Sequence, residues 1–145
     1  NKIVAEALEN GLAAKLGYSH VQPEVKYGEN SRVDFLLSGE DQPDCYLEVK
    51  SVTLSRSTGL AEFPDSVTKR GTKHMKELAH MVEQGHRAML LYLVQRNDAN
   101  KFAVAGDIDP AYQQAVIKAK AAGVEVLCYV TKITTDGISL EKSIT

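Results

Sequence analysis

The sequence has no tryptophan, only three phenylalanines and only two cysteines in 145 residues. Two cysteines cannot build the disulfide framework that holds small secreted domains together. Both Cys45 and Cys128 lie inside apolar runs, so the expectation is a pair of buried, reduced thiols in a cytoplasmic protein. No run of about 18 or more apolar residues occurs, which excludes a transmembrane helix. The chain opens on Asn1 rather than Met and shows no signal-peptide pattern, so it is expected to be a piece of a longer protein. A positive excess is missing as well. The 17 Lys and Arg face 19 Asp and Glu, for a net charge of −2, which argues against a generally basic nucleic-acid binder. Internal repeats and low-complexity segments are absent.

What remains is ordinary for a globular domain: 43% hydrophobic and 25% charged residues, in a length suited to one domain over residues 1–145. The charge is unevenly spread. Glu24 to Asp65 holds nine acids against four Lys or Arg, and Ser66 to Arg87 holds five Lys or Arg against two acids. An acidic segment followed by a basic one fits a cation site beside a phosphate-binding edge. It also fits two patches that merely attract each other.

Ile3 to Leu16 has helical spacing, with Ile3, Ala7, Leu8, Leu12 and Leu16 on one face and Gly17 as the stop. Val21 to Tyr27, Ser31 to Leu37 and Cys45 to Lys50 read as strands, separated by Gly28-Glu29-Asn30 and by a turn from Gly39 to Asp44. Ser51 to Asp65 reads as a long loop, which fits closure over a substrate and equally a solvated loop with no such role. Ser66 to Gln84 reads as a helix with Val67, Met75, Leu78, Ala79 and Val82 toward the core. Its Lys73 and Lys76 fit a solvated basic face. Ala88 to Val94 is a strand buried on both faces. A short strand over Phe102 to Ala105, a helix over Pro110 to Ala122 and a strand over Val124 to Ile133 follow, and Ile138 to Leu140 pairs back across Asp136-Gly137. Three strands in meander order and then a helical crossover to a parallel strand imply a mixed α/β fold, a central sheet flanked by helices.

The chemistry concentrates on the second and third strands. A hairpin centred near Asp41 sets Asp34 across from Glu48, and Lys50 shares Glu48's face because strand side chains alternate. Two opposed carboxylates repel. A hard cation such as Mg2+ or Mn2+ removes that cost. An Asp followed by Glu-x-Lys on the next strand resembles the PD-(D/E)xK restriction-endonuclease-like core. The same residues also fit a solvated hairpin face with an exposed ion pair, and the motif by itself does not decide. Glu24-Val25-Lys26 is an internal control. It repeats Glu-x-Lys with no aspartate on a preceding strand, and it reads as an ordinary sheet-face pair.

The PD-(D/E)xK resemblance implies that Asp34 and Glu48 hold the metal with help from the Val49 carbonyl, and that Lys50 positions or activates the attacking water. It further implies an acid from the first helix, for which Glu6 is the candidate. Lys69, Arg70 and His74, at the start of the basic helix, are candidates for phosphate contact; Arg70 and His74 stand one turn apart.

Longer stretches carry a closer likeness. Tyr27 to Leu37, Tyr46 to Val52 and Phe63 to His74, together with the opening Asn1 to Leu8, resemble the sugar fermentation stimulation protein A family over essentially the whole chain. That resemblance implies a bacterial or archaeal cytoplasmic protein with an N-terminal OB-fold domain, absent from this chain, ahead of a nuclease-like domain. It implies DNA binding without sequence preference and a regulatory role in sugar (maltose) metabolism. The alternative is an active Mg2+-dependent DNA nuclease working through Asp34, Glu48 and Lys50. The residues leave the oligomeric state open, a homodimer included.

Overall fold

A computed structural model describes residues 2–134 and 137–141, with side chains over residues 2–131. The chain starts with α1 (Lys2–Ala7), a π-helical turn (Leu8–Leu12) and α2 (Ala13–Lys15). Strands β1 (His20–Tyr27), β2 (Ser31–Ser38) and β3 (Cys45–Val52) follow, then β4 (Leu54–Ser57) and β5 (Leu60–Phe63). After α3 (Lys69–Glu83) come β6 (Arg87–Val94), β7 (Lys101–Val104), α4 (Pro110–Ala122), β8 (Glu125–Thr134) and β9 (Gly137–Glu141). Residues 135 and 136 lie outside the described residues, and with them the first half of the expected Asp136-Gly137 turn. No described helix is long and apolar enough to cross a membrane.

Six strands form the main sheet in the order β1-β2-β3-β6-β8-β9. The first three pair antiparallel, β3 to β6 and β6 to β8 are parallel, and β8 to β9 is antiparallel. This is the expected mixed sheet. It packs two cores because its central strands are apolar on both faces. Ala88, Leu90, Tyr92 and Val94 of β6 join Met75, Leu78 and Met81 of α3 and Tyr112, Val116 and Ala119 of α4. Met89, Leu91 and Leu93 join Val4 and Leu8 from the first helical segment on the opposite face. Cys45 and Cys128 are buried, and burial pushes the Cys45 thiol up to about 12.

Several local expectations are corrected. The first helix is not continuous: Gly11 at φ 126° lies inside the π turn, and Ala13 rather than Leu12 is buried beyond it. The segment read as a loop over 51–65 is largely the β4–β5 hairpin, and β7 pairs with β5 in a separate three-stranded sheet rather than joining the main one. Its hydroxyl-rich sequence lacks a strand signal of its own. Order comes from Arg56, which bridges the hairpin and a remote segment. Arg56 binds the buried Glu62 at 2.6 and 3.1 Å and Asp107 at 2.6 and 2.8 Å. The third helix starts at Lys69, because Thr68 caps it by accepting from the Gly71 N–H at 3.0 Å. Val67 therefore precedes the helix and is 66% exposed, while Met81 takes a core position.

Candidate metal and nucleic-acid site

The β2–β3 ladder pairs Leu37 with Cys45, Leu36 with Tyr46 and Phe35 with Leu47, so the hairpin is centred on Asp41. One step further the register sets Asp34 opposite Glu48, and there the ladder opens. Asp34 Oδ2 accepts the Val49 backbone N–H at 2.7 Å, in place of a neighbouring carbonyl. The N–H and C=O of one strand residue point to the same neighbour. The Val49 carbonyl therefore faces the same split as the Asp34 carboxylate.

The strand turns over at this point. Val33 packs in the α3 core, whereas Phe35 and Leu37, two and four residues on, pack in the α1 core. Same-parity strand residues share a face unless the strand rotates between them. Opposite Asp34, between the pairs Pro23–Phe35 and Val25–Val33, Glu24 of β1 takes φ 52°. The residue that served as the sequence control is thus an exposed backbone kink facing the rotation.

Glu48 is buried, with 4% of its surface exposed. Its Oε1 lies 3.7 Å from Lys50 Nζ and 3.5 Å from His74 Nδ1. Its Oε2 is buried without a hydrogen-bond partner among the described residues. Burial first and the Asp34 charge second push the Glu48 carboxyl up to about 8. Lys50 Nζ sits 2.8 Å from His74 Nδ1. Burial lowers the lysine, with Glu48 and Asp34 pulling the other way. His74 is itself buried and is held down to about 4, first by burial and then by the Lys50 and Arg70 charges. The neutral ring accepts from Lys50 through Nδ1, so its approach to Glu48 is contact rather than an ion pair.

The structure thus brings together Asp34, Glu48, Val49, Lys50 and His74. Arg70, exposed on the first turn of α3, is near enough for its charge to act on Glu48, Lys50 and His74. His74, expected at a phosphate, forms part of the floor and faces Lys50. Lys69 is exposed at the helix start, its side chain with no hydrogen bond or ion pair among the described residues. Glu6 is exposed on α1, whose buried Val4 packs on the sheet face opposite α3, and no described contact joins it to Asp34 or Glu48. Lys73 donates to the Glu29 carbonyl at 2.8 Å.

Sequence reasoning missed Tyr27 and Glu77. Tyr27 has a buried hydroxyl with no partner among the described residues. Its phenol is raised by burial and then by the Glu48, Glu77 and Asp34 charges. Glu77 accepts from Ser31 Oγ at 2.5 Å and the Glu29 N–H at 3.0 Å, tying α3 to the β1–β2 turn. Neither residue carried a spacing signal, since each acts through a partner remote in the chain.

Among the described residues no group of three or more His, Cys, Asp or Glu side chains is arranged to hold a metal. The available donors are two carboxylates and a backbone carbonyl. That set suits Mg2+, which uses one or two carboxylates and keeps several waters. The orphaned Glu48 oxygen and the repulsion between the two acids fit a cation in the split.

Mixed sheet, helices on both faces and a strand split carrying Asp, Glu and Lys define a domain of nuclease-like α/β fold. The family model described as "Sugar fermentation stimulation protein RE domain" matches residues 1–137. The chain belongs to the sugar fermentation stimulation protein family. Homologues of that protein from Roseobacter denitrificans and Ruegeria sp. are 58% and 59% identical over 145 and 141 residues, covering 99% and 97% of this chain. These alignments span 62% and 61% of the relatives, so the chain spans about three fifths of their length. The structure of Pyrococcus furiosus SfsA in complex with Ca2+ is similar with a TM-score of 0.88 and 28% identity, over 99% of this chain and 62% of that one.

Proposed function

We propose that this domain binds DNA without sequence preference and holds one divalent cation, Mg2+ or Mn2+, through Asp34, Glu48 and the Val49 carbonyl. The observation that carries the reading is the buried, partnerless Glu48 Oε2 beside Asp34 in the strand split. The archaeal relative was solved with Ca2+, a hard oxygen-seeking cation of the same class. Arg70 and Lys69 supply exposed positive charge for phosphates at the rim. The remaining length of the relatives is proposed to include an OB-fold domain that contributes to DNA affinity. Two buried cysteines in a chain without a disulfide framework favour a cytoplasmic setting. The sugar-metabolism role follows the family name.

A second reading, hydrolysis of phosphodiester bonds, is favoured by Lys50. Its ammonium is held by the His74 nitrogen next to Glu48. Lys50 there orients a water and offsets charge developing on the phosphate, and its lowered pKa suits it to proton transfer. A bound cation supplies Lewis-acid stabilisation of the phosphoryl oxygens.

Calorimetric titration of Mg2+ and Mn2+ into wild type and Asp34→Asn, followed by incubation with labelled single- and double-stranded DNA, tests both readings. Binding that needs Asp34, with metal-dependent breakdown, supports hydrolysis. Binding without breakdown leaves the DNA-binding domain with its cation site. No cation binding at all removes both.

A further inference from the structure

We infer that the groove between α3 and the β1–β2 hairpin is the docking path for single-stranded nucleic acid, leading an unpaired strand to the Asp34–Glu48 site. This rests on the proposed function and adds to it the face, the strand type and the residues that read the strand.

The groove has a volume of about 630 Å3, and its lining includes Lys26, Tyr27, Tyr46, Lys76 and Met81. A hollow of about 410 Å3 beside it shares Lys26 and Tyr27 and adds Arg32. The charge is complementary to a phosphate backbone. Glu77 is engaged by Ser31 and the Glu29 N–H, and Lys73 by the Glu29 carbonyl. Lys26 and Arg32 are exposed, and like that of Lys76 their side chains make no hydrogen bond or ion pair among the described residues. Glu29 and Glu77 are the acids of the lining, against Lys26, Lys73 and Lys76, and Arg32 adds a further positive charge beside them.

The groove also offers a surface for bases. Tyr46 is half-buried, its ring 5.5 Å from Tyr27 and 5.4 Å from His86. Stacking of bases on such rings is sequence-tolerant and needs bases that are not paired. This selects a single strand over a duplex.

Continuity with the metal site follows from β3 and Tyr27. Tyr46 precedes Glu48 by two residues and so shares its face. Tyr27 lines the groove, while its buried hydroxyl has no partner among the described residues. With Tyr46 on Glu48's face of β3, the groove leads along that strand toward Glu48, and the Tyr27 hydroxyl is a donor for a phosphate oxygen or its water.

The test uses the full-length protein with Ca2+ in place of Mg2+ and a short single-stranded DNA carrying 5-iodouracil. Irradiation is expected to crosslink Tyr46 or Tyr27, read by peptide mass spectrometry. Lys26→Glu with Lys76→Glu should weaken binding by about tenfold or more and flatten its salt dependence. Lys118→Glu with Lys120→Glu, exposed on α4, is the charge-matched control and should do much less. Crosslinks elsewhere, or equal losses from the two double variants, overturn the groove. If Mg2+ still binds through Asp34 in that case, the site reading stands and only the groove fails. Absence of both cation and DNA binding sinks both.

Discussion

Lys50 donates to His74 Nδ1 at 2.8 Å in a pocket where burial works against charge on both groups. The histidine can accept only while it is neutral with its proton on Nε2. Ring nitrogen NMR should show this tautomer persisting well below the ordinary imidazole range, to about pH 4. Lys50→Met should shift the Nδ1 resonance selectively. A ring that titrates near its usual 6.5 contradicts the arrangement.

Glu48 and His74 give the metal-free protein a pH signature. Between 4.5 and about 8 the folded state keeps a proton on Glu48 that the unfolded chain has released, so stability falls as pH rises. Between about 4 and 6.5 the unfolded chain holds a proton on His74 that the folded state does not, so stability rises with pH. The two oppose one another below 6.5, and only the Glu48 effect remains above it. Melting scans should therefore show a loss from pH 6.5 to 8 on the order of 1–2 kcal/mol. Added Mg2+ should reverse it, because a cation favours the charged carboxylate.

Asp34 has two separable duties. Asp34→Asn keeps an oxygen for the Val49 N–H and removes the charge facing Glu48. Its urea midpoint should stay at or above wild type while cation binding is lost. Asp34→Ala leaves the N–H without its acceptor and should cost about 1–3 kcal/mol. Equal stabilities for the two variants would show that the Asp34–Val49 bond contributes nothing.

Glu24 holds φ 52° where β2 rotates. Side chains other than glycine pay about 1–2 kcal/mol in the left-handed region. Glu24→Gly should leave stability unchanged or raise it by up to about 1 kcal/mol, and Glu24→Val should lower it. Denaturant titration of the pair decides.

Asp109 joins two helix starts. Its Oδ1 accepts the Tyr112 N–H of α4 at 3.0 Å, and its Oδ2 accepts the N–H of Thr68, the cap of α3, at 2.8 Å. Asp109 is 3% exposed, so truncation to alanine strands two N–H groups. A loss of about 1–3 kcal/mol is expected, with Asp109→Asn recovering part of it through its remaining oxygen.

Much of the site was legible because it is local. The turn from Gly39 to Asp44 is short, so its centre fixes which residues of β2 and β3 oppose, and Asp34 meets Glu48 by counting. Alternation then puts Lys50 beside Glu48. The continuous apolar run of β6 announced a strand covered on both faces, and it is.

Other features required the folded chain. Leu54 to Phe63 has no strand pattern that stands alone, and it is ordered by Arg56 reaching Asp107 and by β7 pairing with β5. His74 reads from the sequence as a phosphate contact beside Arg70, and only the packing of α3 sets it against Lys50. Tyr27 and Glu77 gained their roles only when α3 met the β1–β2 turn.

The sequence alone determined the strand pairing around Asp41 and the identity of the Asp–Glu–Lys set, since both follow from spacing along adjacent residues. Tertiary structure decided which charges are buried. Burial, unlike spacing, depends on the surfaces that distant segments bring over a residue. It is burial that raises the Glu48 carboxyl and leaves Lys50 leaning on a histidine.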